Sequence, residues 1–160
     1  MSNFLRTVEF LCVGLWLGCD AFLSFVVAPG AFFILARRDQ AGAMVGYALG
    51  RMHFVGIFLG LLFLMIRLGR SGGTLASLKS PAVLAVALMV VLTLISQFTV
   101  SAKMAALRIQ MGSIEATPAG SPLLAEFAKL HRVSVSLESG VLLAGFAAMY
   151  WMVRELASPR

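Results

Sequence analysis

The sequence predicts an all-α integral membrane protein, an up-down bundle of four transmembrane helices. Three observations carry this: the composition, four long apolar stretches, and the short polar segments between them. Of 160 residues, 60% are hydrophobic and only 12% charged, and the mean hydropathy is +0.94. Soluble domains carry roughly 25% charged residues. A chain this apolar cannot cover a water-facing surface. The composition therefore excludes a soluble enzyme, a secreted disulfide scaffold and a disordered chain. Its length suits one domain, residues 1–160.

Each stretch exceeds the ~20 residues that a bilayer-spanning helix needs, so tilting or extension beyond the membrane is expected. The first runs over about 4–36. Glu9 and Asp20 interrupt it and no small-residue cleavage site follows, so it reads as a span and not as a signal peptide. Pro29-Gly30 lies late in it, and the missing proline donor predicts a kink there. Arg37-Arg38-Asp39-Gln40 closes it. The second stretch covers about 43–68 and ends in Arg67, Arg70 and Ser71-Gly72-Gly73. The third covers about 81–111, with Pro81 suited to a helix start. The loop from Gly112 to Ser121 holds Gly112, Pro118 and Gly120 and is expected to be the most mobile connection. The fourth covers about 122–153.

The formal net charge is +6, from 13 basic and 7 acidic residues. The charges cluster at the ends of apolar stretches, where Lys and Arg anchor helices against head groups, so nucleic acid is not implied. Four spans put both termini on one side. Basic residues are evenly shared between the two sides. The Arg67–Lys79 loop is short, basic and free of acids, which favours cytoplasmic termini. Cys12 and Cys19 lie ~10 Å apart along one helix, too far for a mutual disulfide.

Placing residues at ~100° per step defines the inward faces. On the second helix Gly42, Gly46, Gly50, His53, Gly56, Gly60 and Arg67 share about a third of the circumference. Such a small-residue stripe lets another backbone approach, or leaves a slot for a flat ligand. On the fourth, His131, Ser134, Glu138, Gly145, Met149 and Met152 align; on the first, Glu9, Cys12, Trp16, Asp20, Leu23 and Val27. On the third, Ser96, Thr99, Lys103 and Leu107 align, with Gln97, Ser101 and Arg108 on a second polar line. Measured from the side of the first and third loops, His131 and Lys103 lie within about two turns of the surface and His53 roughly 15 Å down. Asp20 and Glu138 lie near the middle. Ionisable groups at such depth are costly and mark functional sites by default. Asp20, Lys103, Ser134 and Glu138 thus define an expected polar pocket. The expected partners of its carboxylates are Lys103 and His131.

The runs Leu15-Trp16-Leu17-Gly18, Val26-Val27-Ala28-Pro29-Gly30-Ala31-Phe32 and Gly50-Arg51-Met52-His53 resemble a bacterial membrane family, domain of unknown function 4149. Leu130-His131-Arg132-Val133-Ser134, with Glu138 following, continues the resemblance. The family is similar to eukaryotic transmembrane protein 205. The resemblance implies a small four-helix protein of a bacterial inner membrane, of a family without settled activity. The eukaryotic relative's link to platinum-drug resistance hints at handling of metals or small molecules.

Three function classes stay open. Neutral imidazoles at His53 and His131 suit haem iron or another transition metal, held in the pocket with the glycine stripe giving a ring its space. A carrier of a small molecule or ion, acting as a homo-oligomer, would use Asp20, Lys103, His131 and Glu138 as a relay. An accessory subunit of a larger membrane complex would use the glycine stripe for packing. An enzyme is the weakest case: the phosphate-binding, zinc-protease and nucleophile-elbow motifs are missing. The lipid bilayer is the one partner the composition itself demands.

Overall fold

The structure, a computed structural model, describes residues 2–72 and 79–157. Four helices are long and apolar enough to cross a membrane: Asn3–Ile34, Arg38–Arg70, Pro81–Met111 and Pro122–Ala157. No strand occurs among the described residues. Helices adjacent in sequence pack side by side, and the first closes the bundle against the fourth. Short loops between long helices leave antiparallel neighbours as the only arrangement.

Local chemistry explains the helix ends. Ser80 Oγ accepts the Val83 N–H at 3.3 Å, and Pro81 at the first position loses no donor that the helix needs. The third helix stops at Gly112, whose φ of +68° favours a residue without a Cβ. The next loop is expected from sequence to be the most mobile connection, but its first half is tied to the second helix. Ser113 Oγ and the Ile114 N–H donate to the two oxygens of Asp39 at 2.5 and 2.9 Å. Glu115 accepts the Arg38 N–H at 2.8 Å. A carboxylate at a helix N-terminus also meets the positive end of the helix dipole.

Two spans contain a wide π-helical turn, Leu23–Val27 in the first and Ser96–Ser101 in the third. The first lies just ahead of Pro29, where the sequence predicts a kink. The proline ring collides with the carbonyl four residues back, and a widened turn relieves that clash. The second turn contains no proline or glycine and gives no such warning. Each inserts one extra residue into the α-helical count and rotates the remainder of its helix by about 100°.

Below the middle of the bundle, towards the termini, the interior is dry. Trp16, Phe63, Val86, Met89, Val141, Ala148 and Met152 are at most 1% exposed. A Cβ on Gly56 would overlap the Trp16 indole, and one on Gly60 would press on Val90 and Trp16. In lipid, where apolar side chains gain little by leaving the solvent, such close approach supplies much of the helix–helix attraction. The terminal end is closed by charge. Glu9, 2% exposed, accepts Arg70 Nη1 at 2.6 Å and pairs with Arg67 Nη2 at 3.2 Å. Arg67 Nη1 continues to Glu155 at 2.6 Å.

Candidate functional site: a buried polar cluster under a one-sided cavity

The cluster takes one or two residues from each helix, all near the middle of their spans. His53 is completely buried. Its Nε2 lies 2.7 Å from Glu138 Oε1, and its Nδ1 lies 2.8 Å from Gln97 Oε1. Both partners present oxygen here, an arrangement that a doubly protonated imidazole would satisfy by donating to each. Ser96 Oγ donates to the same Glu138 Oε1 at 2.9 Å. Glu138 Oε2 has no hydrogen-bond partner.

Asp20 completes the cluster from the first helix. It is fully buried, and neither carboxylate oxygen has a partner. Ser24, one turn on, lies beside it without meeting hydrogen-bond geometry. Glu138 and His53 both act on its charge through space. Two carboxylates and an imidazole thus share a water-poor interior, with three carboxylate oxygens unpaired. Buried polar atoms in native proteins rarely remain so, which marks this place as unusual.

Above the cluster, all four helices part around a cavity of about 950 Å³. It runs from Glu138, Ser134 and Leu23 to the end that carries the first and third loops, at Gly42, Gly112 and Phe127. The volume is that of a pocket for a drug-sized molecule. Arg108 projects into it across Gly42 and Gly46. A Cβ on Gly42 would come within 3.0 Å of Arg108 Nη2, and one on Gly46 within 3.6 Å of Nη1. The guanidinium lies 5.6 Å from the centre of the Phe127 ring. Among the described residues no carboxylate forms an ion pair with it within 4 Å.

The sequence-based site is therefore redrawn. Asp20, Ser134 and Glu138 are buried as expected, and His53 faces the interior. His131 is exposed; it lines the cavity instead of the buried cluster. Both His53 nitrogens are taken by Gln97 and Glu138, so the two histidines share no partner. Lys103 is exposed and lies outside the cavity lining. The π-helical turn before it explains this. An uninterrupted helix would put Lys103 beneath Ser96, but the extra residue swings Lys103 outward and brings Arg108 in. The expected partners of Glu138, Lys103 and His131, give way to His53 and Ser96. The glycine stripe divides: Gly56 and Gly60 are filled by neighbouring side chains, Gly50 faces Gln97, and Gly42 and Gly46 border the cavity. Sequence reasoning places Gln97 and Arg108 on a polar line but gives them no role.

Among the described residues, no group of three or more His, Cys, Asp or Glu side chains is arranged to hold a metal ion. No curated protein and no solved structure matches the chain. The model of a family described as "Domain of unknown function (DUF4149)" matches residues 11–113, more than half of the chain. That stretch holds Asp20, His53, Ser96, Gln97 and Arg108, while His131 and Glu138 lie beyond it. By this match the chain belongs to the DUF4149 family.

Proposed function

We propose that this membrane protein binds a small amphiphile with one anionic group, carboxylate or phosphate, in its cavity. The observation that carries the reading is the Arg108 guanidinium, which projects into an otherwise largely apolar cavity and, among the described residues, has no carboxylate within 4 Å. Arginine offers a rigid fork of donors that matches a carboxylate or phosphate. Gly42 and Gly46 give the guanidinium its room, and His131 supplies a second polar group in the cavity lining. The apolar body of the ligand would lie along Leu23, Phe127 and Leu142.

Dansylated undecanoic acid tests this, with the protein held in lipid nanodiscs. Fluorescence should report saturable binding to the wild type. Arg108→Ala should weaken it by about 10- to 100-fold, the worth of one hydrogen bond to a charged group. Equal binding by the variant, or none by the wild type, would sink the reading. An absorbance spectrum of the same preparation separates a haem from a colourless amphiphile. A Soret band that disappears in His131→Ala would make the ligand a haem, with His131 as its axial donor.

On this reading the protein sits as a single domain in a bacterial inner membrane with both termini in the cytoplasm. The cavity then opens on the far side. A homo-oligomer would shield the outward-facing flanks of the cavity from lipid.

A further inference from the structure

We propose that Asp20, Glu138 and His53 form a proton-binding site that exchanges with the cavity and is sealed from the opposite face. It goes beyond the ligand reading and needs no ligand. Four observations carry it.

The first is charge. With His53 cationic and both carboxylates ionised, the cluster keeps one uncompensated negative charge in the middle of the bilayer. Among the described residues no other cation faces it. The third helix presents only Ser96 and Gln97 there. The other acid of the first helix, Glu9, is bound to Arg67 and Arg70 at the terminal end. Arg108 lies further up the cavity, and Lys103 points away. One proton on Asp20 restores neutrality.

The second is hydrogen bonding. Asp20 is entirely buried with both oxygens unpartnered, and Glu138 Oε2 is unpartnered as well. A carboxyl that carries a proton becomes a donor, and an unpaired carboxylate oxygen is the acceptor it lacks. The third is access. Glu138 lines the cavity, whereas Asp20 and His53 do not. The fourth is the seal: Trp16, Phe63, Met89 and Met152 fill the bundle on the terminal side, and the Glu9–Arg67–Glu155 network lies behind them. A hydronium ion in the cavity therefore gives its proton to Glu138, its own O–H bond breaking to leave water. The O–H bond on Glu138 breaks as an O–H bond forms on Asp20, and the released Glu138 carboxylate returns to its pairing with His53.

Infrared spectroscopy of the protein in nanodiscs tests this directly. At neutral pH the wild type should show the C=O stretch of one protonated carboxylic acid, and the band should be lost at high pH. It should be missing in Asp20→Asn and present at a shifted frequency in Asp20→Glu, which guards against an effect of misfolding. In Glu138→Gln the surplus negative charge is gone and His53 alone balances Asp20, so the band should be lost at neutral pH. A wild type without the band at neutral pH would overturn the proposal, as would a band that survives in Asp20→Asn. A band abolished by exchanging potassium for sodium chloride would also overturn it, because the site would then hold a metal cation. Failure of the Arg108 binding test leaves this outcome untouched, so the two readings are judged separately.

Discussion

At the scale of single residues, the two histidines separate cleanly. His53 has both nitrogens engaged inside the bundle, and His131 stands on the cavity wall. Removing the His53 ring takes a buried partner from both Glu138 and Gln97. Breaking a buried pair from one side costs about 3–5 kcal/mol. His53→Ala should therefore lower folding stability by about that amount, measured as unfolding in mixed detergent micelles. His131→Ala, which leaves no buried group unpaired, should change it by about 0.5 kcal/mol or less. Similar losses for both would refute the division. The depth of Asp20, His53 and Glu138 is legible from sequence, because each sits mid-way along a long apolar stretch. The pairing is not legible. A helical wheel tells which residues face inward, but not which of several inward residues meet across the bundle.

At the scale of elements, the π-helical turn at Ser96–Ser101 decides which cation enters the cavity. A constant 100° per residue works along the first helix, where Glu9, Cys12, Trp16, Asp20 and Leu23 are all buried as that spacing requires. It fails on the third helix beyond Ser96, because nothing in Ser-Gln-Phe-Thr-Val-Ser announces an inserted residue. Deleting Thr99, an exposed residue of that turn, should restore an ordinary α-helix. Everything after it should rotate back by about 100°, turning Arg108 away and Lys103 inward. Fluorescent fatty-acid binding should then fall as far as in Arg108→Ala, while the helical circular dichroism stays the same. Undiminished binding would show that the turn does not set the position of Arg108. The glycines make a second test. Gly56→Ala forces a methyl into the Trp16 indole, and overpacking of this kind costs about 1–3 kcal/mol. Gly18→Ala, with nothing near its Cβ, should be neutral or slightly stabilising in the same unfolding assay.

At the scale of the whole molecule, the bundle is polarised along its length. The half near the termini is packed and closed by ion pairs; the other half opens into the cavity. The four-helix architecture follows from the apolar stretches alone. The polarity is legible only in part: the terminal-side halves of the second, third and fourth helices are the more apolar in sequence, but only the packing of Trp16, Phe63 and Met152 shows that this half is filled and the other hollow. A one-ended cavity predicts one-ended reactivity. In a background with Cys12 and Cys19 replaced by alanine, Ser101→Cys on the cavity wall should react with a charged, membrane-impermeant thiol reagent. The reagent should act when added on the side of the first and third loops and fail from the side of the termini. Val86→Cys, in the dry half and fully buried, should resist from both sides. Dansylated undecanoic acid should protect Ser101→Cys if it fills the same space, and should do so far less when Arg108 is also replaced. Mass spectrometry of the labelled protein reads all of these arms. Val86→Cys reacting as fast as Ser101→Cys would mean that the dry half opens too, and the sealed floor beneath Glu138 would have to be abandoned.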